Sequence, residues 1–185
     1  GKNQERDYAI LTLFLNCGLR ISELVGLNLQ DIQGETLRVL GKGNKERIVY
    51  LNEQCVDAVT KYTEARKSVA DPKEKALFIS KRGNRITNRR VEQIIDDRLK
   101  ACGLAGKGIS VHKLRHTAAT LMYQNGVDVR VLKEVLGHEN LNTTQIYTHV
   151  VNTQLRDAIN SNPVMDIKND LPEPDLKQNE DKNNK

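Results

Sequence analysis

Two short runs rich in strand-forming residues, 36–40 and 47–51, stand alone in a chain whose other apolar residues recur at helical spacing. Between them lies Gly41-Lys42-Gly43-Asn44-Lys45-Glu46, whose glycines and Asn suit a hairpin turn. One hairpin among helical segments restricts the chain to a mainly α architecture with one small antiparallel sheet, an α+β fold class. Asp7 predicts an N-cap for a helix carrying Leu11, Phe14 and Leu15 and stopping near Gly18. A short helix follows from Ser22 through Glu23, Leu24 and Leu27, and Asn52 caps another bearing Cys55, Val59 and Tyr62. Residues 76–80 suit a third strand, and Arg82-Gly83-Asn84 a turn.

The second half reads as helices throughout. Thr87 caps Val91, Ile94, Ile95, Leu99 and Cys102, all at helical spacing. Ser110 opens a helix with Leu114, Ala118, Leu121 and Met122, which ends at Asn125-Gly126. Asp128 opens the next, with Val131, Leu132, Val135 and Leu136 inward and Gly137 as its stop. Asn142 caps a segment carrying Ile146 and Tyr147, and residues 153–160 suit a last short helix.

A chain of 185 residues is long enough for one sizeable core. With no Trp and 4% aromatics, Leu, Ile and Val must supply most of it. The net charge of +5 is unevenly spread: residues 166–185 hold four Lys against six Asp or Glu, so the body is more basic than the whole. A basic body favours a polyanion, whether nucleic acid or an acidic membrane surface. Cys17, Cys55 and Cys102 have neither disulfide nor zinc spacing and read as small buried residues of a reduced, cytoplasmic protein. No apolar run approaches the ~20 residues that span a bilayer. The chain opens Gly-Lys-Asn-Gln, which reads as part of a longer protein. Its polar, Asn-rich end from Pro163 reads as a tail without a fold of its own.

Chemistry-bearing residues fall where helices end or turns begin, positions that serve function more often than packing. Arg20 follows Cys17-Gly18-Leu19 at a helix junction, and Lys42 sits on a glycine hairpin that can approach a ligand closely. His112 and Arg115 are three apart and share a helix face, and His138 follows the Gly137 stop. Two arginines, a lysine and two histidines make a clamp for one phosphate, because guanidinium binds phosphate oxygens bidentately and keeps its charge. Such a clamp needs no metal, and no carboxylate cluster is present to hold one. The remaining requirement is a nucleophile, and five tyrosines leave that choice open.

Gly18-Leu19-Arg20-Ile21-Ser22-Glu23-Leu24, Gly41-Lys42-Gly43-Asn44-Lys45, His112-Lys113-Leu114-Arg115-His116, Leu136-Gly137-His138 and Thr143-Thr144-Gln145-Ile146-Tyr147-Thr148-His149 occur in that order. Together they resemble the signature of the tyrosine recombinases, most like the bacterial Xer branch and related integrases, over about residues 5–160. The resemblance implies a DNA breaking-rejoining catalytic domain over 1–165, a C-terminal tail over 166–185, and an N-terminal core-binding domain that this chain lacks. It also implies roles. Arg20, Arg115 and His138 would hold the scissile phosphate, and Lys42 would protonate the departing 5′ oxygen. His112 would take the proton of Tyr147 or bond the phosphate, and Tyr147 would attack phosphorus to leave a 3′-phosphotyrosine. Glu23 would buttress the site. No metal, nucleotide or other cofactor is implied. The implied partners are a specific double-stranded DNA site and other protomers in a synaptic tetramer, with helix 153–160 docking in cis or in trans. Lys133 stands where many relatives have Gln, a change expected to alter a local contact only.

Lys81, Arg82, Arg85, Arg89 and Arg90 form a basic run without an acidic residue, and Lys45 lies in the hairpin. Arg89 and Arg90 follow the Thr87 cap, where the helix dipole disfavours cations, so a backbone phosphate nearby would explain them. An equally simple reading is a solvated basic face. His112 and His116, four apart, would be a metal pair only with a third ligand, and His116 and His149 read more simply as structural. Three other functions compete with recombination: a non-catalytic DNA-binding regulator of the same fold, a type IB topoisomerase-like enzyme, and a metal-dependent nuclease.

Overall fold

The computed structural model describes residues 2–137. The expectations placed on His138, Tyr147 and His149, on helix 153–160 and on the tail lie outside the described residues. Six helices and three strands follow in the order α1 Lys2–Cys17, α2 Ile21–Gly26, β1 Ile32–Gln33, β2 Thr36–Leu40, β3 Glu46–Tyr50, α3 Glu53–Arg66, α4 Asn88–Ala101, α5 Val111–Gln124 and α6 Val129–Leu136. The sheet is antiparallel in the order β1-β2-β3, with Leu37 opposite Val49 and Val39 opposite Arg47. Strand alternation turns Leu37, Val39 and Val49 into the core and leaves Ile48 and Tyr50 exposed.

Helix α1 packs against α3 and α5, and its Ile10, Leu13 and Phe14 are fully buried. Leu19 and Leu24 extend that core towards the sheet, and Val91, Ile94 and Ile95 of α4 enter the same cluster. Four expected caps are formed. The side chains of Asn52, Thr87, Ser110 and Asp128 accept from the backbone amides of Cys55, Arg90, Lys113 and Arg130. Each satisfies an amide that the first helical turn cannot pair internally.

Three local expectations are corrected. Helix α1 begins at Lys2, so Asp7 lies within it, where burial demands partners. Its carboxylate accepts from Arg6 at 2.8 Å and Arg98 at 2.7 Å. Residues 76–80 make only isolated antiparallel bridges, Ala76 to Asn28 and Ile79 to Arg85, and the third strand is β1. Their backbone groups are taken elsewhere. Buried Arg66 donates to the carbonyls of Glu74, Ala76 and Leu77, the Tyr62 hydroxyl accepts from the Ile79 amide at 3.0 Å, and the Leu77 amide bonds Leu27. The Tyr62 ring stacks on Phe78 with centroids 5.2 Å apart. Val131, expected inside, is exposed, while Leu132 and Leu136 carry the inward face of α6.

Candidate active site

Arg20 occupies the N-cap of α2 with extended backbone, and Glu23 in the first turn returns to accept from the Arg20 amide at 2.8 Å. The preceding turn needs Gly18. Its φ is +58, and a Cβ there would meet Leu136 Cδ2 at 2.6 Å. This close approach brings the Arg20 junction against the C-terminal end of α6.

Three arginines from three elements gather on that helix end. Arg20 Nη2 donates to the Gly137 carbonyl at 2.9 Å, Arg115 Nη2 to Leu136 at 2.6 Å, and Arg47 Nε to Val135 at 2.9 Å. The last carbonyls of a helix have no internal partners and carry its negative dipole end, so guanidinium donors suit them twice over. Arg115 Nη1 also donates to the Gly18 carbonyl, which joins α5 to the Arg20 junction.

Glu23 lies beneath this cluster with its side chain 2% exposed. Its Oε1 accepts from Arg20 Nη1 and Arg47 Nη1, both at 2.8 Å, and its Oε2 from Arg47 Nη2 at 2.9 Å. Arg115 Nη1 stands 3.9 Å from Oε2. Burial alone would raise this carboxyl, but the hydrogen bonds from Arg47 and the Arg20 amide, with the Arg47 charge, hold it below its ordinary value. One carboxylate thus sets the orientation of two guanidiniums and lies close to a third.

Above these groups an open cleft of about 890 Å³ is lined by Arg20, Glu23, Gly41, Lys42, Lys45, Arg47, Lys133 and Gly137, with Ser22, Leu40, Glu46 and Glu134. The hairpin carries Lys42 to one lip. Residues Lys42–Asn44 form a 3-10 turn, Gly43 and Asn44 have φ of 73 and 63, and the Gly41 amide bonds the Lys45 carbonyl at 2.8 Å. Lys42 is exposed. The cleft therefore combines a fixed guanidinium floor with a solvent-facing ammonium, an arrangement that suits an anion held between them.

Arg20, Glu23, Lys42 and Lys45 are brought to this one cleft, and Arg115 braces its floor from α5. His112 is exposed near the start of α5, one turn before Arg115, and does not line the cleft. His116 is exposed as well. Lys133 lines the cleft with Gly137, so this position faces the site itself. Among the described residues no group of three His, Cys, Asp or Glu side chains could hold a metal ion.

The basic run separates into different surroundings. Arg85 donates to the carbonyls of Val25 and Leu27 at 2.7 and 2.9 Å and to Asn28 Oδ1 at 2.5 Å. It is a clasp on the end of α2. Lys81, Arg82 and Arg89 are exposed, and Arg90 is half-buried beside Gln93.

Arg47 lies outside the motifs that single out Arg20, Lys42 and Arg115. Its signal was the strand alternation, which turns Arg47 inward with Val49. A charge at an inward strand position requires a buried partner. Nothing in the sequence said that the partner would be Glu23, twenty-four residues earlier.

The profile of the Phage integrase family matches residues 1–154. A tyrosine recombinase XerC from Caldanaerobacter subterraneus subsp. tengcongensis is 56% identical over 165 residues, covering 89% of this chain and 47% of that protein. The Corynebacterium glutamicum XerC is 46% identical over 158 residues, covering 84% and 50%. The chain spans about half the length of these curated relatives. Among solved structures, the XerA recombinase superposes with a TM-score of 0.74 at 36% identity, covering 85% of this chain and 58% of that one. The XerH site-specific recombinase bound to palindromic difH substrate gives 0.73 at 28%, covering 87% and 47%. The fold is that of tyrosine recombinase catalytic domains, and the chain belongs to the Phage integrase family, with the bacterial Xer recombinases among its relatives.

Proposed function

We propose that this chain is the catalytic part of a site-specific DNA recombinase that cuts and rejoins strands through a 3′-phosphotyrosine. The observation that carries the reading is the convergence of Arg20 and Arg115 on the end of α6, with Glu23 holding Arg20 and with Lys42 lining the same cleft as Arg20.

The Tyr147 oxygen attacks phosphorus, the bond from phosphorus to O5′ breaks, and Lys42 gives its proton to O5′. His112 takes the proton from Tyr147. Arg20, Arg115 and His138 offset the charge that grows on the non-bridging oxygens, and losing one such contact costs on the order of 10²–10³ in rate. Rejoining runs the same steps backwards with a new 5′ hydroxyl. One phosphodiester replaces another, so ATP is not required, and the cations already present do the electrostatic work without a metal. Double-stranded DNA is the substrate, and further protomers in a synaptic tetramer, with residues 153–160 as a docking segment, are the partners. Lys45, Arg82, Arg89 and Arg90 follow the DNA backbone. No helix among the described residues is long and apolar enough to cross a membrane, and the cytoplasm, where DNA substrate is available, is the proposed location.

The test is covalent trapping. The protein is incubated with a pool of nicked suicide duplexes, with Tyr147→Phe and a chelator arm alongside. SDS-stable adducts from the parent, with or without chelator, and none from Tyr147→Phe are expected. Binding without any adduct would point instead to a DNA-binding regulator, and relaxation of supercoils without strand exchange to a type IB topoisomerase-like activity.

A further inference from the structure

Arg47 makes three side-chain hydrogen bonds at the cleft and has no role in the chemistry above. Both Nη atoms grip Glu23 in parallel, at 2.8 and 2.9 Å, while Nε holds the Val135 carbonyl at 2.9 Å. The side chain is 13% exposed. Two glycines are fitted around it. A Cβ on Gly137 would come within 2.9 Å of Arg47 Nη1, and one on Gly41 would lie 3.8 Å from the same atom. Gly41 precedes Lys42, and Gly137 precedes His138. Arg47 is also the first inward-facing residue of β3 after the exposed hairpin turn, paired with Val39 across the ladder. The guanidinium therefore joins three pieces that carry chemistry: the Lys42 hairpin, the Arg20–Glu23 turn and the end of α6.

We propose that Arg47 is a positioning residue for proton delivery, which fixes the base of the hairpin so that Lys42 reaches the leaving oxygen. This rests on the reading of Lys42 as the acid. Beyond Arg47 the turn Lys42–Asn44 is exposed, so the direction in which Lys42 extends is set by where the hairpin base is held. Lysine cannot replace Arg47, because one ammonium cannot span both carboxylate oxygens and a carbonyl on the other side.

A purely structural arginine and a positioning one separate on the leaving group. Replacing the scissile O5′ by sulfur gives a thiolate that departs without a proton, so any defect in proton delivery is bypassed. The duplex recovered by covalent trapping is synthesised with oxygen and with sulfur at the cleaved bond. Single-turnover cleavage of both is then measured for the parent, Lys42→Ala, Arg47→Lys and Arg47→Gln. General acid catalysis contributes on the order of 10²–10⁴-fold, so Lys42→Ala should lose at least a hundredfold on oxygen and recover on sulfur. Both Arg47 variants should lose tenfold or more on oxygen and regain most of it on sulfur. The sulfur-to-oxygen ratio is taken within one preparation, so a fraction of misfolded protein cancels. Equal losses on both substrates in the Arg47 variants, with Lys42→Ala rescued, would overturn the positioning role alone. Failure of sulfur to rescue Lys42→Ala would overturn the acid assignment and the inference together.

Discussion

Glu23 grips Arg47 through two parallel hydrogen bonds of 2.8 and 2.9 Å, from a side chain that is 2% exposed. The same carboxylate accepts from the side chain and the backbone of Arg20. Removing it leaves two cations facing each other without the group that offsets them, and breaking such a buried pair is costly. Glu23→Gln should lower stability by about 3 kcal/mol near neutral pH, read by urea unfolding.

That loss should depend on pH with a definite sign. The unfolded carboxyl titrates near 4.5, and the native one lies lower, so the native state binds this proton less readily. The stabilisation is complete above about pH 5 and is lost as pH falls through the native value. The melting temperature of the parent should drop towards that of Glu23→Gln on acidification. A gap unchanged between pH 6 and pH 3.5 would show that Glu23 is not ionised against its arginines.

Gly18 and Gly34 both have left-handed backbones, with φ of 58 and 59, but different neighbours. A Cβ on Gly34 meets nothing within 4 Å, whereas one on Gly18 strikes Leu136. Gly34→Ala should cost only the backbone strain, about 1 kcal/mol. Gly18→Ala should cost roughly 1–3 kcal/mol more, because α6 must shift. Paired denaturation curves decide it, and equal costs would mean that α6 yields freely.

The three cysteines should differ in reactivity. Cys17 and Cys55 are buried with their sulfurs 4.0 Å apart, whereas Cys102, expected buried, is exposed at the end of α4. The hydrogen bond to Cys55 and then burial push the Cys17 thiol up, and the same contact lowers Cys55. Iodoacetamide should label Cys102 within minutes and the other two only on unfolding, which intact mass and peptide mapping would show. Early labelling of Cys17 would contradict the packing of α1 on α3.

Arg85 and the pair Arg89 and Arg90 should part company in DNA binding. Replacing Arg89 and Arg90 by Gln should flatten the slope of log affinity against log salt by about 1.8, two phosphate contacts at ~0.9 each. Arg85→Ala should leave the slope unchanged and lower the melting temperature, because it releases the carbonyls of Val25 and Leu27. An unchanged slope in the double variant would make the run a solvated face.

Periodicity, caps and the glycine hairpin were legible in the sequence because each depends on neighbours within a few residues. Asn52, Thr87, Ser110 and Asp128 cap as their types require, and residues 36–40 pair as a strand. The order of their motifs singled out Arg20, Lys42 and Arg115, and the structure brings Arg20 and Lys42 to one cleft with Arg115 bonded to the Leu136 carbonyl beside it. Residues 76–80 were not legible, because side chains of Arg66 and Tyr62 take the backbone groups that a strand would have used. Asp7 was misread for the same kind of reason, since a local capping pattern takes no account of Arg98 ninety-one residues away. Arg47 shows the division most clearly. Its inward strand position followed from alternation alone, but its partners, Glu23 and the Val135 carbonyl, meet only when α2, β3 and α6 pack together. Hydrogen bonds act over about 3 Å of space whatever the separation along the chain, so that meeting was decided by the tertiary structure.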